Sequence, residues 1–168
     1  MGNKNTISFS DPEIRQIFFE WWENLDESRG KRAELRHCHN INEVAFTPSF
    51  HSLRIKLSRF RINQEALAAI AGVLSHVKSN DTNSSLPAQM ATPKLGSKKA
   101  AVSDLRFRRL LTIEDRNELF ITMIRIVRLL DERVNIFDLA KSIYFWNKRT
   151  KKRLAYKYYE NIPVEKKK

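Results

Sequence analysis

Residues 135–159, NIFDLAKSIYFWNKRTKKRLAYKYY, decide how this chain is read, because they join a cluster of aromatics to a dense run of cations. Place residues 136–159 on one helix at about 100° per residue, with Trp146 as origin. Leu139, Ile143, Leu154, Ile136, Ala140 and Tyr158 then fall between roughly 20° and 120°. Lys148, Lys141, Lys152, Arg149 and Arg153 fall between roughly 200° and 340°, with Phe145, Tyr156 and Tyr159 among them. A disordered tail would not separate in this way. Lys151 and Lys157 land on the apolar side, and a break near Asn147, a residue type that favours helix ends, would explain them. A basic face with interleaved rings suits phosphate contacts and base stacking. It also describes a solvated cationic face whose rings close the edge of a core. A nuclear import signal fits less well, since such signals lie in flexible segments. A membrane-surface helix would need a free apolar face, and a small bundle needs that face to close.

Working outward, nearly every periodic segment reads as helix. Ser10, Asp11 and Pro12 with Glu13 form a start signal for Ile14, Ile17, Phe18, Trp21 and Leu25 at helical spacing. A short helix follows in GKRAELRHC. Thr47 and Pro48 then open a helix that turns Phe50, Leu53, Leu57 and Phe60 inward. Leu67, Ile70, Leu74 and Val77 define another, whose Ala and Gly residues permit close helix approach. Ser103 caps DLRFRRLL, Thr112 with Asp115 starts a longer helix, and Asn135 caps the last. Nothing alternates with period two over a useful length. The expected fold is all-α: two small helical lobes forming a compact bundle, with no sheet. The lobes span 10–78 and 101–161. Between them, 79–100 reads as a flexible linker, poor in large apolar residues and rich in Ser, Thr, Asn and Pro.

Charge is unevenly spread over the 168 residues. The net charge is +12, with 14 Lys and Arg against 10 acids in residues 1–100, but 17 against 9 in 101–168. The C-terminal part is therefore the expected polyanion face. In RFRRLL, Phe107, Leu110 and Leu111 form one face, leaving Arg106 and Arg109 together on another and Arg108 between. Three arginines in four residues repel one another unless something anionic lies opposite, and the planar guanidinium suits phosphate. Asp104, Glu114 and Asp115 can supply part of that anion internally.

Other chemistry is excluded or weak. Residues 37–39, His-Cys-His, point about 100° apart if helical, so they do not converge on one metal ion. His37 reads better as a phosphate contact. No glycine-rich phosphate loop or isolated carboxylate pair stands out, so neither an enzyme nor a cofactor is expected. One cysteine, Cys38, permits no internal disulfide and fits a reducing cytoplasm. No apolar run approaches the roughly 18 residues of a membrane span, and no signal peptide is visible. MGNKNT matches the short myristoylation pattern at Gly2 and Thr6, but a plain initiator segment is the reading adopted.

Four pieces in one order carry a family resemblance: WWENLDESRGKRAELRHC, PSFHSLRIKL, LRFRRLLTIEDRNEL and VNIFDLAKSIYFWNKRTKKRLAYKYY. They resemble the small subunit of the type I-E CRISPR surveillance complex Cascade, the CasB family. The resemblance implies a non-catalytic, all-helical protein of the prokaryotic cytoplasm that assembles, usually as a pair, along the crRNA–protein complex. There it would help hold the target strand and the displaced strand of the R-loop. The implied partners are crRNA and target DNA, the backbone and large Cascade subunits, and a second copy of itself, with no membrane. The nucleic-acid-binding residues expected from the family pattern are Arg32, Arg36, Arg106, Arg108, Arg109, Arg125, Lys148 and Arg149. Lys152 joins them from the basic helix face. His37 stands where the family pattern more usually has Arg, and nothing is carried onto it, the linker or the EKKK end. A free helix-turn-helix regulator is the alternative. It would have to present Asn, Gln or Arg to base edges, whereas these helices offer Lys and Arg beside bulky rings.

Overall fold

A computed structural model describes residues 4–164. Ten helices occur among them: α1 Pro12–Asn24, α2 Arg29–Arg36, α3 Ile41–Ala45, α4 Pro48–Lys56, α5 Gln64–Leu74, α6 Leu86–Ala91, α7 Asp104–Leu111, α8 Arg116–Leu129, α9 Ile136–Tyr144 and α10 Lys148–Asn161. Two parallel pairs of two residues each bring β1 (Asn5–Thr6) beside β2 (Phe60–Arg61) and β3 (Ser79–Asn80) beside β4 (Arg133–Val134). These are crossings of extended backbone too short to form a sheet layer, so the fold is all-α. The segments carrying Gly2 and EKKK lie outside the described residues.

Local chemistry sets the helix boundaries. Every helix except α2 has an N-cap side chain that accepts a backbone N–H of its first turn: Asp11, Asn40, Thr47, Asn63, Ser85, Ser103, Asp115, Asn135 and Asn147. Such caps satisfy donors that helix geometry leaves without partners. Asn147 divides the stretch that opened the sequence reading, accepting from the Thr150 N–H at 3.0 Å. The break is real, yet Lys151 stays on the inner side, its side chain only 15% exposed and paired with Glu114, while Lys157 is exposed. Thr112 is the C-cap of α7 rather than part of the next start, which Asp115 provides.

The core is organised around α5, whose residues Ala66–Leu74 are all buried. A helix apolar on every side belongs inside a protein. Helices α3, α4, α8 and α9 pack on it, so elements from both expected lobes share one core. At Gly72, an added Cβ would come within 2.4 Å of the Phe120 ring on α8 and 2.9 Å of Val44 on α3. Helix α5 therefore approaches its neighbours as closely as the Ala- and Gly-rich sequence suggested.

Residues 79–100 are not an unstructured linker along their whole length. Ser85 caps α6, Pro87 sits in its first turn, and Leu86, Met90 and Ala91 are fully buried against the rest of the molecule. The Leu86 N–H donates to the Asp138 carboxylate at 2.7 Å, which ties the segment to α9. Helix α10 packs directly on α6. A helix of six residues is too short to express a period, and so it escaped the pattern. Residues 82–84 are exposed, and residues 94–99 form an exposed turn closed by a bridge between Pro93 and Ala100.

No described helix is long and apolar enough to cross a membrane.

Candidate nucleic-acid interface

Helices α7 and α10 lie side by side and run in opposite directions. At one end, the Phe107 ring stacks on Tyr158 at 3.9 Å between centroids. There the Tyr158 hydroxyl donates to the Val102 carbonyl at 2.7 Å, and the Tyr159 hydroxyl to Asp104 at 2.6 Å. At the other end, the Trp146 indole N–H donates to the Ile113 carbonyl at 2.8 Å, and Lys151 Nζ meets Glu114 at 3.0 Å. Phe107, Trp146, Tyr158 and Tyr159 are thus fasteners. Trp146 is half-buried at the edge of the core rather than within it, and Leu111 likewise.

This arrangement aims the cations outward. Arg106, Arg108 and Arg109 on α7 and Lys148, Arg149 and Lys152 on α10 are all exposed. The antiparallel packing puts the last turn of α7, with Arg108 and Arg109, at the same end as the first turn of α10, with Lys148 and Arg149. Arg108 reaches Asp104 at 3.0 Å, a solvated pair of the i, i+4 kind. Among the described residues, the side chains of Arg106, Arg109, Lys148, Arg149 and Lys152 make neither a hydrogen bond nor an ion pair. The first turn of α10 also contains no acid. Cations there oppose the positive end of the helix dipole, a placement that costs stability unless an anion sits nearby. Arg125 is exposed on α8, remote in sequence from this pair of helices.

Two of the expected residues have a different employment. Arg32 is largely buried; its Nη1 donates to the carbonyls of Ser75 and Val77, each at 2.9 Å, and its Nε donates to Asp26. Arg36 Nε donates to Ser75 O at 2.9 Å, and its Nη2 lies 3.5 Å from the Glu132 carboxylate. Both guanidiniums cap the turn that leaves α5, bonding the carbonyls of Ser75, His76 and Val77, which the helix does not supply with donors. The Trp22 indole adds a third donor, to Val77 O at 3.0 Å. His76 is enclosed in the same place. Burial first, then the charges of Arg36 and Arg128, push its pKa down to about 4. Arg32 and Arg36 are therefore structural caps. Their acceptors lie about forty residues away in the chain, a link that spacing alone does not reveal.

Other cations are similarly occupied. Arg153 bridges Asp138 and Ser142, each at 2.9 Å, and Arg116 donates to the Ile143 carbonyl. Lys151 lies 5.4 Å from the Trp146 ring. His37 is the exposed C-cap of α2. Cys38 has its thiol pushed up by burial and by Glu43 and Glu34. No group of three or more His, Cys, Asp or Glu among the described residues is placed to hold a metal ion. Sequence reasoning did not assign Tyr159 its partner. The hydrogen bond to Asp104, with burial, raises the phenol above its ordinary pKa and keeps it a donor.

Comparison with known proteins gives two results. The family model of CRISPR-associated protein Cse2 matches residues 31–159. A chain in the crystal structure of E. coli Cascade bound to a PAM-containing dsDNA target (32-nt spacer) shares the fold at a TM-score of 0.68. The identity is 18%, over 87% of this chain and 94% of that one. No curated protein matches.

Proposed function

The chain belongs to the CRISPR-associated Cse2 family, and from that premise we propose that it is a non-catalytic small subunit of a type I-E Cascade surveillance complex. In this reading it holds the backbone of the target and displaced strands of the R-loop, alongside crRNA, the other subunits and a second copy of itself. The observation that carries the reading is the clustering of outward cations without protein partners on α7 and α10, set against the occupied Arg32, Arg36, Arg116 and Arg153. Base pairing with a guide supplies sequence recognition in such complexes, so the protein needs only to track phosphate charge. The 101–161 lobe supplies the contact surface, and both lobes contribute helices packed around α5. Arg106, Arg109, Lys148, Arg149 and Lys152 are the phosphate contacts, with Arg108 and Arg125 as accessory ones.

The test is a reconstituted complex with Arg106, Arg109, Lys148 and Arg149 all replaced by Ala. These are exposed positions, and each change should alter stability by no more than about 0.5 kcal/mol. R-loop lifetime should fall. Binding of single strands should lose up to about four increments of 0.7 in its log–log salt slope. A four-Ala variant that folds normally and keeps the parent's R-loop lifetime would leave the basic face as mere solvated surface. A strong preference of the parent for one short duplex sequence would point instead to a regulator.

A further inference from the structure

The stripe that begins with Lys148 and Lys152 continues along α10 through Tyr156 to Tyr159, so that two cations lead into two rings on one helix face. Successive members are three or four residues apart, which is a rise of about 4.5–6 Å per step. Tyr156 is 72% exposed and Tyr159 45%. Lys152, Ala155, Tyr156, Tyr159 and Glu160 line an open groove of about 600 Å³, with the small Ala155 side chain as its floor. The two rings differ in what holds them. Tyr159 is fixed by its hydroxyl on Asp104 and by edge contacts to Phe107 at 5.9 Å and Tyr158 at 5.2 Å. Tyr156 makes no hydrogen bond through its side chain among the described residues.

Resting on the strand-holding reading above, we infer that this groove is a stacking shelf for an unpaired base of single-stranded nucleic acid, with Tyr156 as the platform. Charge complementarity selects this occupant, since a strand whose phosphates follow Lys148, Arg149 and Lys152 brings its next base to Tyr156. Glu160 on the rim is drawn toward Lys157 at 3.4 Å, and Asp104 is occupied by Arg108 and the Tyr159 hydroxyl, so neither acid meets the strand unscreened. Every base has a π-face, so such a shelf tolerates any sequence. That suits a protein that reads none. Stacking releases no counterions, whereas phosphate contact does. The shelf and the cations therefore leave different marks on binding.

The experiment uses the full chain with two labelled probes, a short thymidine homopolymer and an abasic strand of equal length, read by fluorescence anisotropy over a salt series. Tyr156→Ala should weaken the thymidine strand by roughly tenfold and leave the abasic strand unchanged. The salt slope should stay the same on both. Tyr156→Phe keeps the ring and should restore the parent affinity. The shelf is overturned if Tyr156→Ala binds the thymidine strand like the parent, if it weakens both probes equally, or if Tyr156→Phe fails to restore binding. It is also overturned if Tyr156→Ala keeps strand affinity but loses assembly with the other subunits, which would make the groove a protein contact. Salt-sensitive binding of the abasic strand alongside a silent Tyr156→Ala removes the shelf and leaves the phosphate-holding reading standing. A flat salt response of the parent on both probes removes both.

Discussion

Arg32 and Arg149 are chemically the same residue, and the molecule uses them in opposite ways. Arg32 sits against the end of α5 with only 11% of its side chain exposed, its Nη1 spent on two carbonyls and its Nε on Asp26, while its buried Nη2 has no partner among the described residues. Arg149 sits in the first turn of a helix, in solvent, beside two other cations and no acid. The difference is set by what accepts the N–H groups. A buried guanidinium has only the chain itself to satisfy it. An exposed one can be left for a ligand. Charge density along the sequence does not separate these cases; the acceptors do.

The comparison breaks most visibly at Arg32. Arg32→Ala removes two charge-assisted hydrogen bonds, although Ser75 O keeps Arg36 and Val77 O keeps the Trp22 indole as donors, and Asp26 turns to solvent. The expected cost is about 2 kcal/mol, a fall in Tm of roughly 4–8 °C for a domain of this size. Strand affinity per folded molecule should be unchanged. Thermal unfolding and anisotropy measured on the same preparation decide the matter. A variant that melts with the parent but binds nucleic acid poorly would invert the assignment of the two arginine groups.

The same capping site sets a pH response. His76 is buried and titrates near 4 in the fold, against an ordinary value of 6.5, so between those values the unfolded chain binds more protons than the folded one. Stability is therefore complete above about pH 6.5 and is lost as pH falls toward 4. By about pH 5 the loss should be on the order of 2 kcal/mol. For Glu132, burial pushes the carboxyl up, but Lys78 and Arg36 hold it below its usual value. Its contribution is lost only at lower pH still, as pH falls through that depressed value. Denaturant unfolding of the parent and of His76→Gln at about pH 7 and pH 5 isolates the histidine. Equal pH dependence in the two proteins would show that His76 is not the group responsible.

Much of this was legible from the chain. The period of Ile14, Phe18, Trp21 and Leu25, the caps at Asp11, Thr47, Ser103 and Asn135, and the break at Asn147 are local signals read by local rules. So was the outward placement of Arg106, Arg109, Lys148 and Arg149, which follows from the burial of Phe107, Leu110 and Leu154. What escaped depends on contacts between distant segments. Helix α6 has too few turns to show a period, and its apolar residues gain meaning only from α9 and α10. Arg32 and Arg36 look like any basic pair until the end of α5 arrives beside them. Tyr159 could be placed on a face, but its partner Asp104 lies fifty-five residues earlier. Sequence reading locates the faces of helices well. It does not reveal which face meets which.

The smallest predicted effect is also the sharpest test of the comparison, because its sign reverses. Residues Lys148 and Arg149 occupy the first turn of α10, where the unpaired N–H groups make a partial positive charge. If these cations served the fold, removing them would destabilise it, as at Arg32. If they serve a ligand, their removal should relieve repulsion and stabilise the free chain. The double variant Lys148→Ala, Arg149→Ala is expected to gain about 0.5–1 kcal/mol at low ionic strength, or roughly 1–4 °C in Tm. Alanine is itself a slightly better helix former than either residue, so part of any gain is propensity. Lys152→Ala controls for that, since position 152 lies beyond the first turn and is equally exposed. Salt separates the two terms further: the dipole contribution is screened and should shrink as ionic strength rises, while the propensity contribution should not. The same double variant should bind single strands more weakly, with a salt slope reduced by about two increments of 0.7. A gain in stability coupled to a loss in binding marks residues held in an unfavourable place for a ligand. A loss in both would make Lys148 and Arg149 part of the scaffold, and the distinction between the two arginine groups would collapse.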